Sequence, residues 1–305
     1  MGWLVNNDQF DVENEGHRFA QSSDLAMLRA ELSLEDRSHL SLLLDHDCLS
    51  PDWILLGFDG GRLTEALALV APCNLRSPVE LIRLHGWFGA RDGSLRLFEC
   101  AIDKAHALGV HQLYCTALQD SHDGLILLDL GFRMWRRIRR FERESPFTDL
   151  PGGVEFVPVS DFERSEIIAL IAETSADSAD RQIQHYRQRL GESADAEMTL
   201  QVMESTNYYP NWWRVAVDSN RRAIGIILPV IAFGESTVGF VGVIQGSRRR
   251  GIASALLAEA WTVMNREGYE CLSAETDDRN IPMQRALTKS GFALRSENQE
   301  WKLDL

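Results

Sequence analysis

The sequence carries one plan twice, and that repeat constrains the fold more than any other feature. In the second copy, Ile252–Glu267 reads as an amphipathic helix. Ile252, Leu256, Leu257, Ala260, Val263 and Met264 recur at helical spacing, and Gly268 supplies the stop. A short strand follows at Tyr269–Glu275. Asn280-Ile281-Pro282 then opens a second helix with an N-cap residue and an early proline, and Gly291-Phe292 ends it. The first copy runs the same course. Leu95–Leu108 is a helix with Leu95, Phe98, Ala101, Ile102 and Ala105 on one face. Gly109, a strand at Val110–Thr116 and a second helix up to Gly131-Phe132 come next. An offset of about 160 residues is far too long for a solenoid and fits two copies of one domain.

The segments upstream correspond as well. Asp52–Phe58, Leu63–Val70 and Val79–His85 read as successive strands, and so do Trp213–Val217, Ala223–Ala232 and Thr237–Ile244. Asp59-Gly60-Gly61 and Asp218-Ser219-Asn220 occupy matching hairpin turns. Each copy is therefore helices, a three-strand meander, helix, strand, helix, strand. The expected fold is mixed α/β: two tandem domains, each a central mixed sheet flanked by helices. The Pro- and Gly-bearing stretch Ser145–Gly153 is the expected linker, which divides the chain into residues 1–150 and 151–305.

Composition narrows the function classes. The formal net charge is −14, spread over both halves, so a broad nucleic-acid footprint is not expected. No window approaches the roughly 18 apolar residues of a membrane helix. The first residues lack the basic start and apolar stretch of a signal peptide. The expectation is a soluble, cytoplasmic protein. The five cysteines are irregularly spaced without a C-x-x-C, and the eight histidines show no ligand spacing, so reduced thiols and no metal site are expected.

The chemistry concentrates in one loop. The strand ending Val241-Gly242-Val243-Ile244 passes through Gln245-Gly246-Ser247-Arg248-Arg249-Arg250-Gly251 straight into the helix starting Ile252-Ala253-Ser254. Helix N-termini present unpaired N–H groups and form anion sites. Gly251 lets backbone approach closely, small Ala253 and Ser254 leave room for a phosphate, and the arginines add charge.

This loop resembles the pyrophosphate loop of the GNAT acyltransferase superfamily, R/Q-x-x-G-x-G/A, with Arg248, Gly251 and Ala253 in its fixed places. Asn280, Leu287, Gly291 and Phe292 cover a second family block, N-x-x-x-x-x-x-Y-x-x-x-G-F, in which Leu287 departs from the usual Tyr. The tandem plan resembles that of mycothiol synthase and other two-domain members. The resemblance implies acetyl-CoA, or another acyl-CoA, as cosubstrate. Its pyrophosphate would lie on the N–H groups of Arg249, Arg250, Gly251, Ile252, Ala253 and Ser254, beside Arg248. Its pantetheine arm would lie along Val241, Gly242 and Val243, with Asn280 a further CoA contact. An N–H of that strand, freed where two parallel strands splay, would serve the oxyanion. The implied reaction is acyl transfer to the amine of a small molecule or peptide.

Glu275, at the end of the next strand, stands where some GNAT enzymes carry a general base; a solvated strand-end carboxylate is the alternative. Asp277 or a water chain is the next candidate for that role. Asn280 is also a plain helix N-cap. Leucine at 287 cannot protonate a leaving thiolate. Tyr208 and Tyr209 are possible substitutes, although packing or a pocket wall suits them and Trp212 and Trp213 better. In the first copy, Ala90-Arg91-Asp92-Gly93 replaces the basic loop and Asp120 replaces Asn280, which implies a retained fold without CoA binding. The run Arg136-Arg137-Ile138-Arg139-Arg140 reads as a half-exposed strand rather than an anion site. A non-catalytic acyl-CoA-binding regulatory module is the alternative to an enzyme.

Overall fold

The computed structural model describes residues 16–71, 81–88, 95–117, 121–145, 147, 154–206, 208–232 and 234–305. Asp120, the first-copy loop at 89–94 and most of the expected linker lie outside these residues. The chain forms two compact units. One comprises residues 1–135 with 299–305, the other residues 136–298. The expected division near residue 150 runs along the sequence. The units instead take their last strand from the other half of the chain, because a β-ladder joins residues without regard to sequence distance.

The first unit holds β1 (His17–Phe19), α1 (Leu25–Glu31), α2 (Leu34–Asp45), β2 (Ile54–Asp59), β3 (Arg62–Val70), β4 (Leu81–Phe88), α3 (Leu95–Ala107), β5 (Gln112–Thr116) and α4 (His122–Asp129). β1 to β4 pair antiparallel in sequence order. β4 runs parallel to β5 from Leu81↔Gln112 to Arg83↔Tyr114. Glu300–Asp304, the end of the last strand, pairs antiparallel with β5. Leu97, Phe98, Ala101 and Ala105 of α3 are buried, which is the face expected from the helical period with Leu97 in place of Leu95. Trp87 is the bulged residue where β4 faces β3, between Leu67↔Gly86 and Ala66↔Phe88.

The second unit opens with the later part of β6 (Arg133–Arg143). It continues with β7 (Glu155–Pro158), α5 (Arg164–Ser175), α6 (Arg181–Leu190), α7 (Glu192–Glu204), β8 (Arg214–Val217), β9 (Ala223–Ala232), β10 (Glu235–Val243), α8 (Ile252–Arg266), β11 (Leu272–Asp277) and α9 (Ile281–Lys289). The start of β12 (Ala293–Asp304) closes it. Its strands run in the order β7-β8-β9-β10-β11-β6. All neighbours are antiparallel except β10 and β11. α8 buries Ile252, Ala255, Leu256, Leu257, Ala260, Val263 and Met264, so its apolar stripe closes the core against the sheet. α9 stops at Gly291, whose φ of +77° suits glycine. The Arg143 guanidinium fills the space a side chain there would need and donates to the carbonyl of Ser290.

The basic run at 136–143 is consumed within this unit. Arg136 is buried and pairs with Asp180, Arg137 and Arg139 with Glu297, and Arg140 with Glu142 and Glu235. These acids neutralise the run, in accord with its reading as a strand.

Candidate active site

Two features of β10 create an opening in the sheet. Its parallel ladder to β11 is only two residues long, Thr237↔Ser273 and Val238↔Ala274. Immediately beyond, Gly239 is an extra residue opposite β9, between Val238↔Pro229 and Phe240↔Leu228. A bulge bends a strand and increases its twist. After Gly239, β10 follows β9 alone, with Val241↔Ile227, Gly242↔Ile226 and Val243↔Gly225. Backbone groups of a strand point alternately to its two sides. Those that β10 directs away from β9 therefore leave the ladder past Val238. Val241–Val243 thus lie on the part of β10 that has left the β10–β11 ladder.

The wall over this stretch is α5. A β-carbon added to Gly242 would stand 2.3 Å from Thr174 Oγ1 and 2.5 Å from Thr174 Cβ, so only glycine lets the end of α5 lie this close to β10. Arg248 fixes the same place. Its Nε donates to the Val243 carbonyl at 3.0 Å and its Nη2 to the Thr174 carbonyl at 3.1 Å. Much of the Arg248 side chain is thus committed to shaping the loop, while Arg249 and Arg250 are exposed.

The loop then enters α8 through two left-handed residues, Arg249 (φ 63°) and Gly251 (φ 83°). Gly251 is the N-cap. No side chain caps the helix, and its first bond runs from the Ala255 N–H to the Gly251 carbonyl. The N–H groups of Ile252, Ala253 and Ser254 precede that bond and form the first-turn donor set of a helix. A β-carbon at Gly251 or Gly246 would meet nothing within 4 Å, so the space before the helix is open. Ile252 itself is a core side chain, so only its backbone faces this space. Positive side chains, first-turn N–H groups and the helix dipole all favour an anion here.

The remaining residues singled out by sequence fall in separate settings. Glu275 is exposed on β11, opposite Arg140 of β6. Asn280 caps α9, accepting from the Met283 N–H at 3.3 Å. Leu287 is fully buried in the core. Tyr208 stacks on Trp213 with centroids 4.2 Å apart, and the Trp213 indole donates to the Pro229 carbonyl. Tyr209 is exposed and meets Trp212 edge-on at 4.8 Å. Burial raises the Tyr208 phenol above its ordinary range.

Sequence reasoning missed the clamp beyond Glu275. Asp277 is wholly buried. It accepts from Arg181 Nε at 2.8 Å and Nη2 at 2.9 Å, and from the backbone N–H groups of Arg181 (3.2 Å) and Arg279 (2.8 Å). Burial alone would raise its carboxyl, but the Arg181 guanidinium and these N–H groups outweigh it and hold the group below the usual range. Asp180 caps α6 and pairs with Arg136. The start of α6 is thereby tied to the end of β11. The only signal of this in the sequence is an Asp-Arg pair before a polar helix.

Among the described residues no group of three or more His, Cys, Asp or Glu side chains is placed to hold a metal, and no helix is long and apolar enough to cross a membrane.

Comparison with known proteins agrees with this geometry. The model of the Acetyltransferase (GNAT) family matches residues 184–292, from α6 through Phe292. No curated protein matches the chain. Among solved structures, a GCN5-related N-acetyltransferase from Sphaerobacter thermophilus has a TM-score of 0.62 at 17% identity, covering 94% of this chain and 95% of that one. A tandem GNAT protein from the clavulanic acid biosynthesis pathway has a TM-score of 0.58 at 14% identity, covering 82% of each chain. A GNAT-family acetyltransferase from Colwellia psychrerythraea has a TM-score of 0.53 at 13% identity, covering 95% and 99%. The likeness thus includes a tandem GNAT protein. The splayed strands, the basic turn and the family match meet in one segment, residues 184–292, and it is this segment that matches the Acetyltransferase (GNAT) family.

Proposed function

We propose that the second unit binds acetyl-CoA between β10 and the start of α8 and transfers its acetyl group to the amine of a small molecule or peptide. The carrying observation is the pairing of two features. β10 leaves β11 after Val238, and the same strand leads into an uncapped helix N-terminus. The pyrophosphate lies on the first-turn N–H groups from Arg249 to Ser254, with Arg249 and Arg250 adding charge. Arg248 holds the turn from below. The pantetheine arm lies along Val241, Gly242 and Val243, where the backbone can pair with its amides.

The amine nitrogen attacks the thioester carbonyl, and a β10 N–H in the gap stabilises the oxyanion. The C–N bond forms, the C–S bond breaks and CoA thiolate leaves. Glu275 takes the amine proton in this reading, directly or through a water. Leu287 cannot supply the thiolate with a proton, since it is apolar and buried. The thiolate therefore leaves unassisted or takes its proton from water. Calorimetric titration of the full chain with CoA, followed by acetyl-CoA turnover against a panel of amines, tests the proposal. Micromolar binding with turnover supports it; absence of CoA binding overturns it.

The burial of Leu287 also favours a second reading, a regulatory module that binds acyl-CoA without turning it over. Binding without turnover against every amine class would select it.

A further inference from the structure

We infer that Met203 closes the acyl end of this site and restricts the second unit to short acyl groups. The inference rests on the acyl-CoA reading above and adds a specificity-determining residue to it.

The direction of the cosubstrate fixes where its acyl group ends. With the pyrophosphate at the start of α8 and the pantetheine arm passing Val243 and then Val241, the thioester arrives at Phe240 and Gly239. There the gap shuts, because Val238 and Ala274 are joined in the parallel ladder. The acyl group is the last part of the ligand and meets this closed end.

Gly239, the bulged residue at that end, carries no side chain of its own, and α7 fills the space. A β-carbon at Gly239 would stand 2.3 Å from Met203 Sδ, 3.1 Å from the Leu228 carbonyl oxygen and 3.1 Å from Val230 Cγ2. The Met203 thioether thus occupies the volume that a side chain at 239 would take. Leu228 and Val230 are themselves buried, so they form a fixed wall behind it. Met203 is half-buried and packs against the core of the unit. It is the member of the wall that reaches in from a helix on a long, unbranched side chain. Methionine fills irregular gaps and is polarizable enough to line an apolar pocket. A pocket fitted to a methyl group rejects each further methylene by a steep factor, since neither Leu228 backbone nor buried Val230 can give way.

The full chain is titrated by calorimetry with CoA, acetyl-CoA, butyryl-CoA and hexanoyl-CoA. In the wild type, acetyl-CoA is expected to bind within about threefold of CoA, and hexanoyl-CoA about tenfold or more weaker than acetyl-CoA. Met203→Ala opens the wall, so hexanoyl-CoA rises to within about threefold of acetyl-CoA while CoA affinity stays unchanged. Met203→Leu keeps the bulk and the short-chain profile. If Met203→Ala fails to fold by circular dichroism, Met203→Val is read in its place. A wild type that binds hexanoyl-CoA as tightly as acetyl-CoA overturns the inference, and so does a hexanoyl-to-acetyl ratio unmoved by Met203→Ala. A wild type that binds none of the four, CoA included, instead overturns the acyl-CoA reading on which the inference stands.

Discussion

Arg248 joins the turn before α8 to the end of α5 through Thr174, donating to its carbonyl at 3.1 Å while its Nε holds the Val243 carbonyl. The family motif places an arginine here, and the motif alone suggests a free side chain reaching a phosphate. The observed arginine instead braces the loop that presents the helix N–H groups. Arg248→Ala should therefore cost about 1.5–3 kcal/mol of stability, the range of hydrogen bonds to a charged donor. CoA affinity should fall as well, because the loop loses its support. Arg249→Ala and Arg250→Ala should weaken CoA binding with little change in unfolding free energy. Urea unfolding and CoA titration on the three variants separate brace from ligand contact.

Gly251 allows a cleaner dissection of the anion site. Its φ of 83° penalises any other residue, yet a β-carbon there would touch nothing. Gly251→Ala should cost about 1–2 kcal/mol in stability through conformation alone. Gly251→Asp carries the same backbone cost and adds a carboxylate in the open space before the helix. CoA should bind the Asp variant at least about tenfold more weakly than the Ala variant, a difference of about 1.4 kcal/mol. Equal affinity of the two would remove the phosphates from this turn.

The Asp277–Arg181 pair makes a pH-dependent prediction. The folded carboxyl sits below its ordinary value of 3.8. A depressed acid stabilises the fold above the unfolded value, and that contribution is lost as pH falls through the folded one. The wild type should keep this contribution at neutral pH and lose it below about pH 4. Asp277→Asn removes the buried carboxylate from the pair but leaves Arg181 its contact with Asp278, and should cost about 1–3 kcal/mol at pH 7. Its stability should also be flatter in acid. Urea unfolding at pH 3, 5 and 7 measures both effects.

Asp195 behaves in the opposite sense. It is buried in the first turn of α7, and desolvation pushes its carboxyl up to about 6, against the attraction of Arg187. The folded state therefore holds this proton more tightly than the unfolded chain does. Stability should fall as pH rises from about 4 to about 6 and stay reduced above that range. Asp195→Asn should remove that slope and raise stability at pH 7 by roughly 1–3 kcal/mol. Denaturation midpoints at pH 4.5 and pH 7 check it.

The parts of the fold with a strong local period are legible in the sequence. The α8 stripe, the β9–β10 hairpin and the capping of α9 by Asn280 each depend on residues a few positions apart. What cannot be read there depends on distant partners. Thr174 is 74 residues before Arg248, and Arg181 is 96 residues before Asp277. Asp277 is a candidate base by sequence position, but it is wholly buried and bound to Arg181, which sequence position does not show. The strand content of each unit is equally hidden, since nothing near residue 136 or 299 in sequence announces which sheet a long strand will join. Gly239 and Gly242 read as ordinary strand residues; only Met203 and Thr174, packed against them, show why no side chain fits.

The burial of Leu287 decides what a tyrosine there would do. A phenol is usual in the family at this place, and sequence alone makes Leu287→Tyr attractive. The residue is 0% exposed and lies within the core of the unit. A larger ring with a hydroxyl would overpack the site at about 1–3 kcal/mol and bury a polar group. Leu287→Tyr should therefore lower the melting temperature and should not raise turnover. Glu275 is exposed at its strand, so Glu275→Gln should leave folding and CoA affinity unchanged. If Glu275 is the base, turnover with the best amine of a panel should drop about 10²–10⁴-fold at neutral pH. The variant should also lose the acidic limb of the rate profile, since glutamine does not titrate. Steady-state kinetics across pH on both variants, with circular dichroism as the control, decides the matter. An unchanged profile for Glu275→Gln would take Glu275 out of the reaction and leave water as the proton acceptor.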